Sequence, residues 1–248
     1  MIRNTPFFSV IIAVYNNARG LERSIGSMLQ QEFSDHELIV IDGGSTDGTQ
    51  EIIKKYENHI AYSVSEKDSG IYNAWNKGIR QARGEWICFL GCDDILYPDT
   101  LRNYHQFIKT NDRVKFVSAK IDLARDQNVF RTVGLPWAWP RFLNFMTIAH
   151  VGSMHHRSLF EKYGLFDETY KMAGDYEFLL RPRGDLEAGY MPLKTARMEY
   201  GGVSNASMKI FKEVIRAKTQ TGGKSLWRAM LEDWLIKFKF QIRVMLGK

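Results

Sequence analysis

The chain has 248 residues, of which 44% are hydrophobic and 25% are charged, a composition that excludes an intrinsically disordered protein. This length suffices for one large α/β domain with an appendage. The formal net charge is +6, but residues 209–248 contain ten Lys or Arg against three Asp or Glu, so the positive excess lies in the tail. We therefore expect no nucleic acid as a partner.

The cysteines and the hydropathy pattern indicate a cytoplasmic protein. Only Cys88 and Cys92 occur, which favours a reducing compartment without disulfides and makes a poor zinc site. The apolar segment 7–14 ends too early, at Asn16, to be a secretory leader, and is predicted to be a first strand. No stretch reaches the uninterrupted apolar length that a membrane-spanning helix needs.

The first hundred residues alternate between apolar runs and helical patterns. Four apolar runs predict buried strands, at 9–15, 37–42, 61–65 and 86–90. Between the first two runs, Leu21, Ile25 and Met28 recur at helical spacing. Right-handed crossovers would place such strands parallel in one sheet, so the prediction is β-α-β-α-β-α-β.

Acidic residues follow three of these strands. They are Asp42, Asp68 and the pair Asp93 and Asp94. Open α/β sheets bind ligands at the carboxyl ends of their strands, so a cation and a phosphate could meet there. Taken alone, the Asp93–Asp94 pair could equally cap the turn that follows it.

Neither of the common phosphate-binding motifs is present. A dinucleotide-binding domain would have its glycine fingerprint directly after the first strand, where this chain has Tyr15 and Asn16. A P-loop would need Gly-x-x-x-x-Gly-Lys followed by Ser or Thr; the Gly-Lys-Ser at 223–225 lacks the first glycine of that pattern, because position 218 is Lys.

Four segments, in this order and spacing, resemble the nucleotide-binding half of inverting family-2 glycosyltransferases. They read SVIIAVYNN, ELIVIDGGSTDGT, SEKDSGIYNAWNKGI and RGEWICFLGCDD. The resemblance implies the α/β GT-A fold, with a Rossmann-like, mostly parallel central sheet flanked by helices and a C-terminal amphipathic helical extension. We expect a GT-A domain over 1–208, with a nucleotide-binding half at 1–100 and an acceptor half at 101–208, and a basic amphipathic helical tail over 209–248.

The resemblance also assigns roles to the acids of the first half. Asp42 and Asp68 would contact the nucleoside, and Asn76 is a further candidate contact. Asp94 would ligate Mn²⁺ or Mg²⁺, hard cations that suit carboxylate oxygens, while Asp93 would lie against the ribose or the water ligands of the metal.

In the acceptor half, the resemblance maps a general base onto Asp175, which would take the proton of the acceptor hydroxyl. Asp175 could also cap the helix that follows it, and the two roles are compatible. Three further residues are possible substrate contacts: His155, Trp137 and Ser204. Trp137 could stack on a sugar or pack as part of a loop held to the core, and Ser204 follows a glycine segment that could fold over the nucleotide.

Residues 224–248 carry apolar side chains at helical steps along one stripe, including Trp227 and Trp234, with basic residues around it. Such a helix can lie in a membrane interface and be attracted by anionic lipid. It could instead pack on the catalytic domain or on a partner. The excess of positive charge favours the membrane.

Together these features predict a metal-dependent inverting glycosyltransferase that moves a sugar from a UDP-sugar to a hydroxyl. The acceptor would be a glycan or a glycan carried on a polyprenyl diphosphate, as in bacterial surface polysaccharide assembly. The protein would then be peripheral on the cytoplasmic face of the inner membrane. Alternatives are a nucleotidyltransferase, which also uses paired carboxylates and a metal, and a catalytically silent module that binds a sugar nucleotide or a lipid.

Overall fold

The computed structural model describes residues 5–200, 209–232 and 234. The strands are β1 (Phe8–Val14), β2 (His36–Asp42), β3 (Tyr62–Ser65), β4 (Trp86–Gly91), β5 (Ile95–Leu96), β6 (Phe116–Arg125), β7 (Asn128–Val133), β8 (Met154–His156) and β9 (Ala188–Glu199). The named α-helices are α1 (Ala18–Leu29), α2 (Thr49–Lys55), α3 (Ile71–Gln81), α4 (Thr100–Thr110), α5 (Trp139–Phe142), α6 (Arg157–Tyr163), α7 (Gly174–Leu180) and α8 (Lys209–Arg216).

All of these strands belong to one sheet, in the order β3-β2-β1-β4-β8-β6-β9-β5. The remaining strand, β7, pairs with β6. β1 lies between β2 and β4 and is parallel to both, and β3 is parallel to β2. The four strands predicted from the apolar runs are therefore adjacent and parallel. Beyond β4 the sheet is mixed, because β8 is antiparallel to β4 and β6, whereas β9 is parallel to β6.

The continuous apolar character of β1 arises because helices cover both of its faces. Its alternate residues enter two different hydrophobic clusters. Val10 and Ile12 pack in the cluster that contains residues of α1 and α4, whereas Ile11 packs in the cluster of α3, α6 and α7. Full burial of such side chains contributes about 1.5–3 kcal/mol each, which fixes the register of the central strands.

The beginning of the tail packs on the domain. A π-helical turn, Ala217–Thr221, follows α8, and Ala217 is fully buried in the same cluster as α7. The Thr221 hydroxyl donates a hydrogen bond to Glu177 of α7 at 2.8 Å.

Residues 226–232 and 234 are helical again, while the rest of the predicted amphipathic stripe lies outside the described residues. None of the helices in the described residues is long and apolar enough to cross a membrane.

Candidate active site

Hydrogen bonds join the loops that leave the carboxyl ends of β1, β2 and β4. The Asn16 N–H donates to the Ser45 hydroxyl at 2.7 Å, and the Asn16 side chain accepts from the Thr46 N–H at 2.9 Å. The Asn17 side-chain amide reaches the sulfur of Cys92 at 3.3 Å. These loops therefore form one continuous rim along the edge where parallel α/β sheets bind ligands.

Asp42, the last residue of β2, supports this rim from beneath. Its carboxylate is fully buried and accepts hydrogen bonds from the Ser45 N–H at 3.2 Å and from the hydroxyls of Ser45 and Ser65, both at 2.5 Å. The direct contact between Asp42 and a nucleoside stays a prediction; in this conformation the Asp42 carboxylate has no exposed surface. Asp42 shapes the loops after β2 and β3.

Asp68 occupies the open part of the rim. A Cβ added to Gly43 would lie 2.7 Å from an Asp68 carboxylate oxygen and 3.3 Å from the ring of Tyr15, so glycine at this position leaves the space that Asp68 fills. The Gly70 N–H donates to the Asp68 carboxylate at 3.0 Å and orients it. Tyr15 is 63% exposed, so a carboxylate and a flat aromatic face lie side by side and open to solvent.

The Asp93–Asp94 pair follows β4 directly. Asp94 is 4% exposed, and its carboxylate accepts a hydrogen bond from the Glu199 N–H, at the end of β9, at 3.1 Å. Burial, with the neighbouring charge of Asp93, raises the pKa of Asp94 to about 8. Burial also raises the pKa of Asp93, while Arg23 on α1 opposes that rise.

The pair fits the divalent cation that the sequence resemblance implies. Buried carboxylates beside other acids are disfavoured as anions, and a bound cation removes that penalty. Within residues 5–200, 209–232 and 234, no three His, Cys, Asp or Glu side chains form a complete metal site. Mg²⁺ usually takes one or two protein carboxylates and completes its shell with water and substrate phosphates.

Asp175 lies in the first turn of α7, where it accepts a hydrogen bond from the Tyr72 hydroxyl at 3.1 Å. Tyr72 is in the first turn of α3, so the two helices begin at the same place. A Cβ on Gly174 would approach the Tyr72 ring to 2.8 Å, and glycine is therefore required for this contact. Asp175 is not the cap residue, since α7 is preceded by Ala173 in that position.

Asn76 connects α3 to the segment before α7. It is 2% exposed; its side-chain amide donates to the Phe166 carbonyl at 2.9 Å and to Glu168 at 2.8 Å, and its oxygen accepts from the Phe166 N–H at 3.0 Å. In this conformation the polar groups of the side chain hold the two elements together, and the nucleotide contact of Asn76 stays a prediction.

His155 lies in the core. It is fully buried, and its ring lies within 4.9–5.4 Å of the rings of Phe116, His150 and Phe89. The substrate contact of His155 stays a prediction, and in this structure the ring has no exposed surface. Its neighbour His156 points to the other face of the sheet but pairs with Trp86, at the amino end of β4, away from the rim.

Trp137 is partly buried, with its ring 4.3 Å from that of Phe142 and 6.3 Å from that of Trp139. The loop is thus held to the core, which is one of the two expected interpretations. The ring is still partly exposed, and its contact with a sugar stays a prediction. Ser204 lies outside the described residues.

Two residues of this site were not identified from the sequence. Tyr72 belongs to one of the motif segments, yet nothing in the sequence indicates its contact with a residue 103 positions later. Glu199 is an acid at the carboxyl end of a strand, the same feature that identified Asp93 and Asp94, but β9 itself was not predicted.

A cavity of about 440 Å³ lies elsewhere. Its lining includes Lys115, Leu159 and Glu187 and contains none of the predicted site residues. Lys115 and Glu187 precede β6 and β9, so the cavity opens at the amino edge of the sheet and is not the candidate site.

Comparison with known proteins agrees with this architecture. Residues 9–165 match the family described as Glycosyl transferase family 2. The chain belongs to this family. A PGL/p-HBAD biosynthesis glycosyltransferase of Mycobacterium bovis is 31% identical over 229 residues, which cover 88% of this chain and 87% of the relative. An uncharacterised glycosyltransferase of Rickettsia typhi is 29% identical, over 71% of this chain and 59% of that protein.

Solved glycosyltransferase structures share the fold. Residues 1–349 of Staphylococcus aureus TarS, in complex with UDP-GlcNAc, match with a TM-score of 0.72 at 21% identity, over 85% of this chain and 65% of that one. The chain spans only 38% of a longer TarS structure. The mannosyltransferase PcManGT of Pyrobaculum calidifontis, in complex with GDP-Man and Mn²⁺, gives a TM-score of 0.66 at 20% identity, over 90% and 66% of the two chains. The predicted GT-A fold of this family-2 glycosyltransferase is confirmed.

Proposed function

We propose that this glycosyltransferase moves the sugar of a UDP-sugar to an acceptor hydroxyl with inversion at the anomeric carbon. The observation that carries the proposal is the hydrogen bond from the Tyr72 hydroxyl to the Asp175 carboxylate at the start of α7. Tyr72 lies four residues after Asp68 in the chain, so this bond brings Asp175 near the Asp68 loop. The acceptor oxygen would bond to the anomeric carbon as the bond to the diphosphate oxygen breaks. UDP leaves, and the acceptor proton passes to Asp175.

The donor nucleoside would bind between Tyr15 and Asp68. An exposed aromatic face suits stacking of a base, and a carboxylate suits an N–H donor such as that of uracil. Asp42 contributes indirectly, through the loops that its hydrogen bonds to Ser45 and Ser65 hold in place. The TarS complex with UDP-GlcNAc supports this choice of nucleotide.

Asp94, with Asp93, would hold Mn²⁺ or Mg²⁺. The cation would supply positive charge that neutralises the departing diphosphate. The raised pKa of Asp94 and the PcManGT complex with Mn²⁺ support this proposal.

For the domains, we propose the nucleotide-binding half over 1–100 and the acceptor half over 101–208, in which Trp137 and Ser204 would contact the substrate.

The acceptor we propose is a glycan carried on a polyprenyl diphosphate, reached from the cytoplasmic face of the membrane. The described part of the tail helix supports this, since its large apolar side chains are 49–63% exposed: Leu226, Trp227, Met230, Leu231 and Trp234. The opposite side of this helix is attached to the domain, because Ala229 is fully buried and Glu232 forms ion pairs with Lys218 and Lys224.

Release of UDP from a panel of UDP-sugars by the purified protein with Mn²⁺ tests the function, with water taking the place of the acceptor hydroxyl. We expect Asp175→Asn and Asp94→Ala to lower the rate of release about a hundredfold or more, because general-base catalysis and charge neutralisation each contribute at least that much. Asp112→Asn changes an exposed acid and is the matched control, with an unchanged rate.

Thermal denaturation with and without UDP and Mn²⁺ separates the alternatives. Specific ligands raise the melting temperature, and Asp94→Ala should lose the Mn²⁺-dependent part of that rise. In the release assay, wild-type rates of UDP release in both Asp175→Asn and Asp94→Ala would overturn the proposal. Stabilisation by UDP-sugars without any release would indicate a silent binding module.

A further inference from the structure

The backbone that leads into α7 is held by the tail. One carboxylate, that of Glu213 on α8, accepts hydrogen bonds from three consecutive backbone N–H groups: Lys171 at 3.0 and 3.1 Å, and Met172 and Ala173 at 2.9 Å each. The first N–H groups of a helix and those just before it lack intrahelical partners, and an anion is the favoured partner for them. Glu213 therefore fixes the position from which α7 starts.

A second side chain of α8 holds the other end of the same segment. The Arg216 guanidinium lies 4.2 Å above the ring of Tyr170 and donates to the Asp167 carboxylate at 3.2 Å. Glu213 and Arg216 are three residues apart, so they lie on the same face of α8. This face of α8 therefore binds the stretch 167–173 at both of its ends.

The stretch is also tied to the Asp68 loop. The Lys171 ammonium donates to the carbonyl oxygens of Ser69 at 2.7 Å and Glu168 at 3.0 Å. The backbone that Glu213 holds thus lies between the loop that would bind the nucleoside and the helix turn that carries Asp175. A shift of this backbone would change the distance between the Asp175 carboxylate, the proposed general base, and the bound UDP-sugar.

We propose that Glu213 is a positioning residue for sugar transfer: by binding the N–H groups of 171–173 it holds Asp175 in place for proton removal. The inference rests on the proposed function, since it needs Asp175 as the base. It also gives the first part of the tail a role in the reaction that is separate from membrane attachment.

The test uses the full-length protein, Mn²⁺ and the UDP-sugar from which the wild type releases UDP fastest. For Glu213→Ala we expect kcat to fall by about tenfold to a hundredfold, as for other small misplacements of a catalytic group, with KM for the donor within about twofold. Glu213→Gln retains an oxygen that accepts hydrogen bonds and should recover part of kcat. Lys212→Gln changes an exposed residue of the same helix and is the matched control.

A double variant separates positioning from general loss of structure. In an Asp175→Asn background, Glu213→Ala should lower the residual rate no further, because the group that it positions is already gone. A full additional loss in that background, a parallel loss of UDP binding, or an unchanged kcat in Glu213→Ala would each overturn the inference.

The two proposals fail in different ways. If Asp175→Asn keeps the wild-type rate, or if the wild type releases no UDP, the proposed function fails. If Asp175→Asn is inactive and Glu213→Ala has the wild-type kcat, only the positioning role fails.

Discussion

Two imidazoles, those of His150 and His155, lie in the core with their ring centroids 4.9 Å apart. Burial lowers the pKa of both, and the neighbouring His150 lowers the pKa of His155 further. The Asp175 charge partly opposes the shift at His150. Near the ordinary pKa of histidine the folded protein therefore binds fewer protons at these two rings than the unfolded chain does.

This difference predicts a loss of stability in acid. As the pH falls below about 6.5, the unfolded chain binds protons that the folded protein does not, so the free energy of unfolding falls by up to about 1.4 kcal/mol per pH unit for each such histidine. His155→Phe keeps an aromatic ring in the aromatic cluster and removes one of these groups. We expect its stability, measured by urea unfolding from pH 7.5 to pH 5, to fall less steeply than that of the wild type.

His59→Asn, at an exposed position, is the control and should keep the wild-type slope. Equal slopes in the wild type and His155→Phe would show that His155 titrates alike in the folded and unfolded states. The burial of His155 could not be predicted from the sequence: alternation along a strand separates His155 from His156, but only the packing of α6 and α7 decides which face is enclosed.

At the scale of elements, the site depends on α3 and α7 starting together. Gly174→Ala would place a methyl group 2.8–2.9 Å from the Tyr72 ring. We expect this overpacking to cost about 1–3 kcal/mol in the free energy of unfolding and to displace Tyr72 from Asp175, so that UDP release slows as well. Urea unfolding and the rate of release measure the two effects.

Gly26→Ala in α1 is the matched control, because a Cβ there meets nothing within 4 Å. Alanine in an open helical position should stabilise the protein by up to about 1 kcal/mol and leave the rate unchanged. If Gly174→Ala behaved like this control, the start of α7 would not be as tightly packed as described.

The elements differ in how far the sequence predicts them. β1, β2 and β4 can be predicted directly from apolar runs, because strands covered on both faces are apolar along most of their length. β9 cannot be predicted in this way, because three successive residues within it, Pro192–Lys194, are exposed. Contacts between distant elements, such as that of Glu213 with residues 171–173, depend on how the chain closes on itself and leave no local pattern.

For the molecule as a whole, the tail has two structurally different parts that the sequence presents as one basic amphipathic segment. Its first part, through Thr221, is anchored by buried contacts to α7, whereas Trp227 and Leu231 are 63% and 49% exposed. A helix attached on one side, with an apolar stripe on the other and an excess of positive charge, suits the surface of an anionic membrane.

Flotation of the full-length protein with vesicles tests this arrangement. We expect recovery with vesicles that contain anionic phospholipid, much less with purely zwitterionic vesicles, and a decline at high salt, because charge attracts the tail and apolar burial retains it. Trp227→Ser with Leu231→Ser should abolish recovery while UDP release from a soluble donor stays at the wild-type rate. Leu193→Ser removes a similarly exposed apolar side chain from β9 and should float normally. Normal flotation of the tail variant would mean that the exposed stripe meets a protein surface or solvent, and that the acceptor is delivered by other means.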